Sequence, residues 1–326
     1  MTSRSSIFAL IYGLPGAGKT TDMGASFPNS IFVCRKAKVV DDTLPHGLKS
    51  IVSNWQYTPR YHGVRTIMDV IDIVKELNAL RMAGKLPPHL AIVDTICVDD
   101  LTEIADDTLR HLEESRNLNG LKLWGALQRT FMDFRIAAQD AALNVVCNSW
   151  AAEPTTKEGK FCIGGPKFPS HSLTTLIPGV YDNVFRCVND PLRLPWPNTY
   201  VATADTQWVS KDRDNIVTRL KAAPMNLGEI FRAANYTISR HPDLPWQEAE
   251  VVKMTDALLA GGAGTERSVL NPLYAELRAT LIARYTELKV PNSTDVASAH
   301  ARWTARDALD RTLIRRGLNA AQEVFF

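Results

Sequence analysis

The eight residues from Gly13 to Thr20 constrain the fold of this chain more than any other segment. They are GLPGAGKT and fit the pattern GxxxxGK[ST]. They follow the apolar segment Ile7–Tyr12 directly and lead into a segment with helical character, Thr20–Ala25. In this pattern the glycines let backbone N–H groups point inward at a bound phosphate. The positive end of the dipole of the following helix adds to the attraction for negative charge. The sequence therefore predicts a loop that binds phosphate groups.

The polar residues of this loop have distinct chemical roles. Lys19 can reach the terminal phosphates of a nucleotide, and the hydroxyl of Thr20 is a ligand for Mg²⁺. We therefore expect ATP and Mg²⁺ as cofactors, with Lys19 acting in catalysis as well as in binding. The residues predicted to bind the nucleotide are Gly13, Pro15, Gly16, Ala17, Gly18, Lys19, Thr20 and Thr21.

A second metal ligand is expected at the end of a strand next to the loop. The segment Leu90–Val93 is apolar and is followed by Asp94. We predict a strand there, so that Asp94 and Thr20 together hold Mg²⁺. Helix capping is the alternative role for Asp94. Four nearby acids are typical of a solvated helix face and receive no role: Asp99, Asp100, Asp106 and Asp107.

Short apolar segments alternate with longer amphipathic ones up to about residue 240. The predicted strands are Ile7–Tyr12, Ser30–Cys34, Leu90–Val93, Asn144–Cys147, Asn183–Val188 and Tyr200–Thr203. The clearest predicted helices between them are Ile67–Met82 and Leu123–Leu143. This alternation predicts an α/β fold with a mainly parallel sheet covered by helices on both faces. Residues 241–326 have a helical pattern, with a last helix over about 294–316, so we divide the chain into a nucleotide-binding domain, 1–240, and a helical C-terminal region.

The composition excludes several classes of protein. Among 326 residues, 45% are hydrophobic and 22% are charged, which is typical of a folded chain. The net charge is only +2, so any surface for nucleic acid must be a local patch. No apolar run approaches the roughly 20 residues of a membrane-spanning helix, and we predict no membrane partner. The five cysteines form no CxxC pair, which favours buried reduced thiols and a cytoplasmic location.

The order of these parts resembles that of the RecA-like ATPases of phages, and in particular the phage nucleotide-binding proteins related to single-strand annealing proteins. The resemblance covers about residues 5–235. It implies a RecA-like P-loop NTPase core that binds ATP and works as a homo-oligomer on single-stranded DNA, in the host cytoplasm or in a virion. The segments that carry it are Gly13–Thr20, Ile92–Thr95, Leu143–Cys147, Tyr181–Val184 and Lys211–Arg213.

The resemblance also assigns residues outside the loop. In that family a late Lys-x-Lys or Lys-x-Arg pair reaches the γ-phosphate bound by the neighbouring subunit. Lys211 and Arg213 match this pair and are implied to be catalytic in trans, with an exposed charged turn as the alternative.

Two loops of RecA-like cores contact single-stranded DNA, and the matching segments here are 115–123 and 153–171. Lysines can pair with phosphates, and exposed aromatic rings can stack on bases. The alternative is an ordinary β-hairpin whose phenylalanines pack inward. The residues predicted to bind DNA are Lys157, Lys160, Phe161, Lys167 and Phe168.

Two departures from the family pattern concern hydrolysis. Related hydrolases carry a Glu after the second or third strand to orient water, but residues 34–38, CRKAK, contain no acid. They also carry Gln or His at the end of the strand near Val146, where this chain has Trp150, with Asn148 and Ser149 as substitutes. ATP binding is therefore better supported than turnover. The base is left open between Asp41, Asp42, Glu76 and a residue not yet placed.

Three interpretations of function follow. The first is an ATP-binding oligomer that acts on single-stranded DNA in phage recombination or replication. The second is a structural protein of the virion or its assembly that keeps an ATPase fold with weak or no hydrolysis. The third, a DNA-packaging motor, fits less well because the chain is short for one that carries a nuclease.

Overall fold

The computed structural model describes residues 6–34, 64–91, 93–157, 159–189, 198–202, 207–220, 223–238, 253, 255–257, 267–287 and 305–316. The strands are β1 (Phe8–Gly13), β2 (Ser30–Cys34), β3 (Thr95–Asp99), β4 (Asn144–Ala152), β5 (Thr155–Lys157), β6 (Lys160–Cys162), β7 (Gly165–Pro166), β8 (Asn183–Asn189), β9 (Asn198–Val201), β10 (Lys211–Asp212) and β11 (Ala223–Pro224). The helices are α1 (Lys19–Ser26), α2 (Ile67–Met82), α3 (Pro88–Ala91), α4 (Leu101–Arg116), α5 (Gly120–Asp140), α6 (His171–Leu176), α7 (Ile216–Arg219), α8 (Leu227–Ala233), α9 (Arg267–Glu287) and α10 (305–316).

A mainly parallel sheet organises these elements. Its strand order is β11-β9-β8-β1-β4-β3-β2. The five strands from β8 to β2 run parallel, whereas β9 and β11 add antiparallel strands at one side. The predicted α/β class is thus confirmed. Because parallel strands end at one edge, the carboxyl ends of β1, β3 and β4 lie close together there.

Both faces of the sheet are covered by helices, as the sequence predicts. Alternate residues of a strand point to opposite faces. In β1, Leu10 and Tyr12 pack in the hydrophobic cluster that contains residues of α2, α4 and α5. Ala9 and Ile11 pack in the second cluster, which contains residues of α1, α8 and α10. The strand is apolar throughout because each face is buried.

Helix α2 occupies the residues predicted for it, Ile67–Met82. Its start is a capping box, because the Thr66 hydroxyl accepts a hydrogen bond from the Asp69 N–H and the Asp69 carboxylate accepts one from the Thr66 N–H. The local sequence is therefore sufficient to begin the helix at this point.

The strand predicted over Leu90–Val93 is wrong. Pro87 precedes a short helix, α3, whose first residue is Pro88, and proline at the first position of a helix has no N–H to lose. The strand begins later, at Thr95, where β-branched residues become frequent. Asp94 therefore precedes the strand, and its N–H donates to the Asn29 carbonyl at 3.1 Å.

Helix α10 lies within the predicted last helix, and its buried face packs in the same hydrophobic cluster as α1 and α8. Ala308 and Leu309 are buried, and Ile314 belongs to the same hydrophobic cluster as α1 and α8. The Arg306 guanidinium donates to the Met225 carbonyl at 2.7 Å, and Arg311 pairs with Glu229 of α8 at 3.3 Å. The division of the chain at residue 240 stays a prediction, although these residues adjoin the sheet domain.

The buried carboxyl of Asp310 in α10 predicts a specific pH dependence. Burial raises its pKa from 3.8 to about 8, and Arg306 counteracts this only in part. Between about pH 4 and 8 the folded protein retains a proton that the unfolded chain has lost, so this group's contribution to the free energy of unfolding falls as pH rises, by up to about 1.4 kcal/mol per pH unit. We expect Asp310→Asn to gain stability relative to the wild type from pH 5 to 8, measured by urea denaturation. A difference in stability between Asp310→Asn and the wild type that stays constant from pH 5 to 8 would contradict the prediction.

Four cysteines are buried free thiols, as the sequence predicts: Cys34, Cys97, Cys147 and Cys187. Burial raises the pKa of Cys147 to about 12, which keeps it protonated. Within the described residues, no helix combines the length and apolar character that crossing a bilayer requires.

Candidate nucleotide-binding site

The structure explains why glycine occupies three positions in and beside the loop between β1 and α1. A Cβ on Gly13 would lie 2.8 Å from the Cβ of Cys187, so only glycine lets β8 approach β1 at this point. Gly16 and Gly18 have φ angles of +77° and +81°, in the left-handed region that disfavours other residues. The predicted phosphate-binding conformation is therefore compatible with the residues present.

Lys19, the first residue of α1, extends back over the loop. Its ammonium donates to the carbonyl oxygens of Gly13 and Leu14, both at 2.9 Å. The side chain is 8% exposed. The ammonium is thus held at the centre of the loop, where a bound phosphate would meet a desolvated positive charge.

The hydroxyl of Thr20 meets two polar side chains from neighbouring strands. It donates to Asp99 Oδ2 at 3.0 Å, and Asn148 Nδ2 lies 3.4 Å from the same hydroxyl. Asn148 also donates to Asp99 Oδ1 at 2.5 Å. The three residues come from the end of the loop, the end of β3 and the middle of β4, and both Asp99 and Asn148 are buried.

The structure brings Asp99, and not Asp94, beside Thr20. Asp94 stands before the first residue of β3, at the opposite edge of the sheet from the loop, and its carboxylate accepts a hydrogen bond from the Thr95 hydroxyl at 2.7 Å. Asp99 ends the same strand beside Thr20 and is not part of a solvated helix face. The β-branched residues between Thr95 and Val98 were the signal that could have identified the correct strand.

These residues surround one cleft of about 380 Å³. A hydroxyl, a carboxylate and an ammonium lie within it, which is a donor set that suits Mg²⁺ and phosphate oxygens. The sequence left Trp150, Asn148 and Ser149 open for the position beside the loop, and of these Asn148 and Trp150 line the cleft. The lining residues are Pro15, Gly16, Ala17, Gly18, Lys19, Thr20, Thr21, Asp99, Asp100, Asn148 and Trp150.

A buried carboxylate that the sequence did not reveal anchors α1. Asp22 accepts hydrogen bonds from the Tyr200 hydroxyl at 2.6 Å and from the Leu227 N–H at 3.3 Å. Burial raises the pKa of Asp22, and these hydrogen bonds act in the opposite direction. The helix that follows the loop is therefore tied to β9 and to the start of α8.

Lys211 and Arg213 lie at the other edge of the sheet. Lys211 pairs with Val184, near the amino end of β8, and its ammonium donates to the Tyr181 carbonyl at 2.6 Å. Burial lowers the pKa of Lys211. Arg213 pairs with Asp182 at 3.1 Å. Neither residue is among those that line the cleft beside Thr20 in its own chain. Their contacts are those of a turn held within the chain. Their catalytic role in a neighbouring subunit stays a prediction.

The predicted DNA-binding loop contains a small hairpin of β5 and β6. Phe161 is 56% exposed and Lys160 is exposed, as the prediction requires. Lys167 lies over the ring of Trp150, with its ammonium 5.2 Å from the ring centroid. Lys157 belongs to β5, and its side chain lies outside the described part.

Phe168 corrects the prediction for this loop. It is buried and packs edge-on against Phe131, with 5.5 Å between ring centroids. Its ring belongs to the core and offers no face to a base. The other predicted DNA loop, 115–123, is short, because α4 ends at Arg116 and α5 begins at Gly120.

Replacing Phe161 and Phe168 by alanine, one at a time, should give opposite results. Phe161→Ala should leave the melting temperature unchanged. If the loop binds single-stranded DNA as predicted, this variant should bind an oligonucleotide about 5- to 150-fold more weakly, since one stacked base contributes about 1–3 kcal/mol. Phe168→Ala should destabilise the fold by about 3–5 kcal/mol. Fluorescence anisotropy and thermal denaturation measure the two effects. Normal DNA binding by Phe161→Ala would exclude this ring from the DNA contact.

Of the residues left open as the base, Asp41 and Asp42 lie outside the described residues. Glu76 lies on α2 and is not among the residues that line the cleft. The chain matches no protein-family model and no curated protein sequence. Its class therefore rests on the mixed α/β fold with a mainly parallel sheet and on the geometry of the cleft.

Proposed function

We propose that this protein is a RecA-like P-loop protein that binds ATP together with Mg²⁺. The observation that carries the proposal is the contact of the Thr20 hydroxyl with Asp99 and Asn148 at the mouth of the loop. Lys19 would contact the β- and γ-phosphates, and Thr20 and Asp99 would hold the metal, which neutralises phosphate charge. Asn148 would stand in for the Gln or His that senses the γ-phosphate in RecA-like hydrolases.

We further propose that it acts as a homo-oligomer on single-stranded DNA in phage recombination or replication. The support is the position of the hairpin, which follows β4 directly. Trp150 of β4 lines the cleft, and its ring contacts Lys167 of the predicted DNA-binding loop. A nucleotide in the cleft and a polynucleotide beside the hairpin would therefore contact the same short segment of chain.

A second candidate is a structural protein of the virion or its assembly that keeps the ATPase fold. The observation that favours it is the use of Lys211 and Arg213 within their own chain. If that is their whole role, the subunits share no chemistry, and nucleotide should not drive their association.

Light scattering and DNA binding with a non-hydrolysable ATP analogue separate the two candidates. If the protein is an oligomer that acts on single-stranded DNA, the analogue should increase the average molecular mass of the particles and tighten binding of a labelled single-stranded oligonucleotide. Arg213→Ala should reduce this increase in molecular mass. Arg110→Ala is a matched control, because Arg110 is equally exposed and also paired with an aspartate. ATP binding without any response in mass or DNA affinity would favour the structural protein.

A further inference from the structure

A groove on the surface between α2 and α5 is separate from the cleft beside Thr20. The two helices share one hydrophobic cluster on the same face of the sheet, and the groove between them has a volume of about 410 Å³. Among the described residues, none lines both the groove and the cleft. The residues that line the groove are Met68, Ile71, Asp72, Lys75, Asp133, Ile136, Ala137 and Asp140.

The spacing of these residues defines the length of the groove. On each helix they recur at steps of three and four, which places them on one face of that helix. The stripe on α2 runs from Met68 to Lys75, and the stripe on α5 runs from Asp133 to Asp140. At a rise of about 1.5 Å per residue, each stripe is about 10 Å long, so the groove accommodates about two turns of another helix.

Hydrogen bonds within the chain hold both walls of the groove in place. At the start of α2, the Ile67 N–H donates to the Thr108 hydroxyl of α4 at 2.9 Å. Near the other end of α2, the Arg81 guanidinium donates to the carbonyl of Ala141, directly after α5, at 3.2 Å. The C-terminal ends of the two helices are therefore joined. A groove that is formed in advance loses little conformational entropy when a partner binds.

Apolar side chains form the base and one edge of the groove. Ile71 and Ala137 are buried, whereas Met68 is partly exposed and Ile136 is 51% exposed. Met132 lies one turn before Ile136 on α5, is 43% exposed and extends this apolar surface. Covering these side chains would remove apolar surface from water, which favours association with an apolar partner.

The polar side chains of the groove carry an excess of negative charge. Three aspartates, Asp72, Asp133 and Asp140, and one lysine, Lys75, are exposed there. Three negative charges and one positive charge give a local net charge of −2, although the whole chain carries +2. Within the described part of the chain, none of the three carboxylates takes part in an ion pair. They would attract lysine and arginine and repel the phosphates of nucleic acids and anionic lipids.

We propose that this groove binds a basic amphipathic helix of a partner protein, an interaction that does not depend on the proposed binding of ATP. Apolar residues of the partner, three and four apart, would pack on Ile71 and Ile136, and its lysines or arginines would pair with the three aspartates. A helix fits this groove better than an extended strand, because both walls are helices and offer no free sheet edge for backbone pairing.

Two labelled model peptides of about 18 residues test the proposal, a length at which an isolated helix can form. One has leucines at helical steps of three and four, flanked by lysines, and the other has glutamate in place of each lysine. Fluorescence anisotropy with the whole chain at low salt should show that the lysine peptide binds at least about 10-fold more tightly. This preference should decrease in about 0.5 M salt, because salt screens the charges of the aspartates.

Three variants of the groove should change the affinity for the lysine peptide in different directions. Ile136→Gln should weaken binding about 5-fold or more, because it removes exposed apolar surface. Asp133→Asn combined with Asp140→Asn should weaken it about threefold or more. Lys75→Gln removes the positive charge of the groove and should strengthen binding about twofold. All these side chains are exposed, so the melting temperatures should stay within about 4 °C of the wild type.

The matched control is Glu113→Gln combined with Glu114→Gln, which removes two exposed carboxylates from α4 and should bind the lysine peptide as the wild type does. No binding of the lysine peptide up to about 1 mM, equal affinity for both peptides, or an affinity that the groove variants leave unchanged would overturn the proposal. Light scattering without peptide provides a further check. A larger molecular mass for the wild type than for Ile136→Gln would also overturn the proposal, because the groove would then hold a second copy of this chain.

Discussion

If the protein binds ATP as proposed, Lys19→Ala should bind it at least about 100-fold more weakly than the wild type, because it would lose charged hydrogen bonds to two phosphates, each worth about 1.5–3 kcal/mol. The ammonium lies at the centre of the loop and is largely shielded from water, so its attraction for phosphate is weakly screened. The ammonium donates hydrogen bonds to the carbonyls of Gly13 and Leu14. Isothermal titration calorimetry measures the loss.

The control for Lys19→Ala is Lys75→Ala, at an exposed lysine of α2. It removes the same charge from the protein and should leave the affinity for ATP unchanged. Thermal denaturation checks that Lys19→Ala is folded. An affinity for ATP that is equal in wild type and folded Lys19→Ala would mean that the loop between β1 and α1 does not bind the nucleotide.

If Mg²⁺ raises the affinity for ATP as proposed, Asp99→Asn should remove most of that increase. Asp99 accepts the hydrogen bond of the Thr20 hydroxyl, and loss of a carboxylate that orients a metal ligand lowers metal affinity by about 10- to 100-fold. Asparagine is close to aspartate in size, and Asn148 can still donate to its oxygen. A titration of Mg²⁺ at a fixed concentration of a fluorescent ATP analogue measures the effect.

Asp94→Asn is the matched control, since it makes the same chemical change at the other end of β3. Its oxygen can still accept the hydrogen bond from the Thr95 hydroxyl, so the fold should be unaffected. We expect its dependence on Mg²⁺ to equal that of the wild type. Loss of the Mg²⁺ effect in Asp94→Asn, with Asp99→Asn normal, would contradict the placement of β3.

The sequence determines the features that depend on near neighbours. The loop from Gly13 to Thr20 is recognisable because its glycines and Lys19 act through backbone conformation and charge, which local spacing encodes. The bounds of β2 and α2 agree with the prediction for the same reason, since an apolar run and a capping box are local patterns. The alternation of strands and helices is also sufficient to predict the parallel sheet with two covered faces.

The tertiary structure alone decides which side chains meet at the cleft. Leu90–Val93 before Asp94 and Thr95–Val98 before Asp99 are both largely apolar segments followed by an aspartate, and the local preference of β-branched residues for a strand favours the second segment only weakly. The pairing of β3 with β4 and β2 places Asp99 at the edge of the sheet that holds the loop, and Asp94 at the other. Phe161 and Phe168 are likewise equivalent in sequence, yet only Phe168 finds a partner in the core. In each case the deciding contact joins segments far apart in the chain, so it exists only once the sheet has formed.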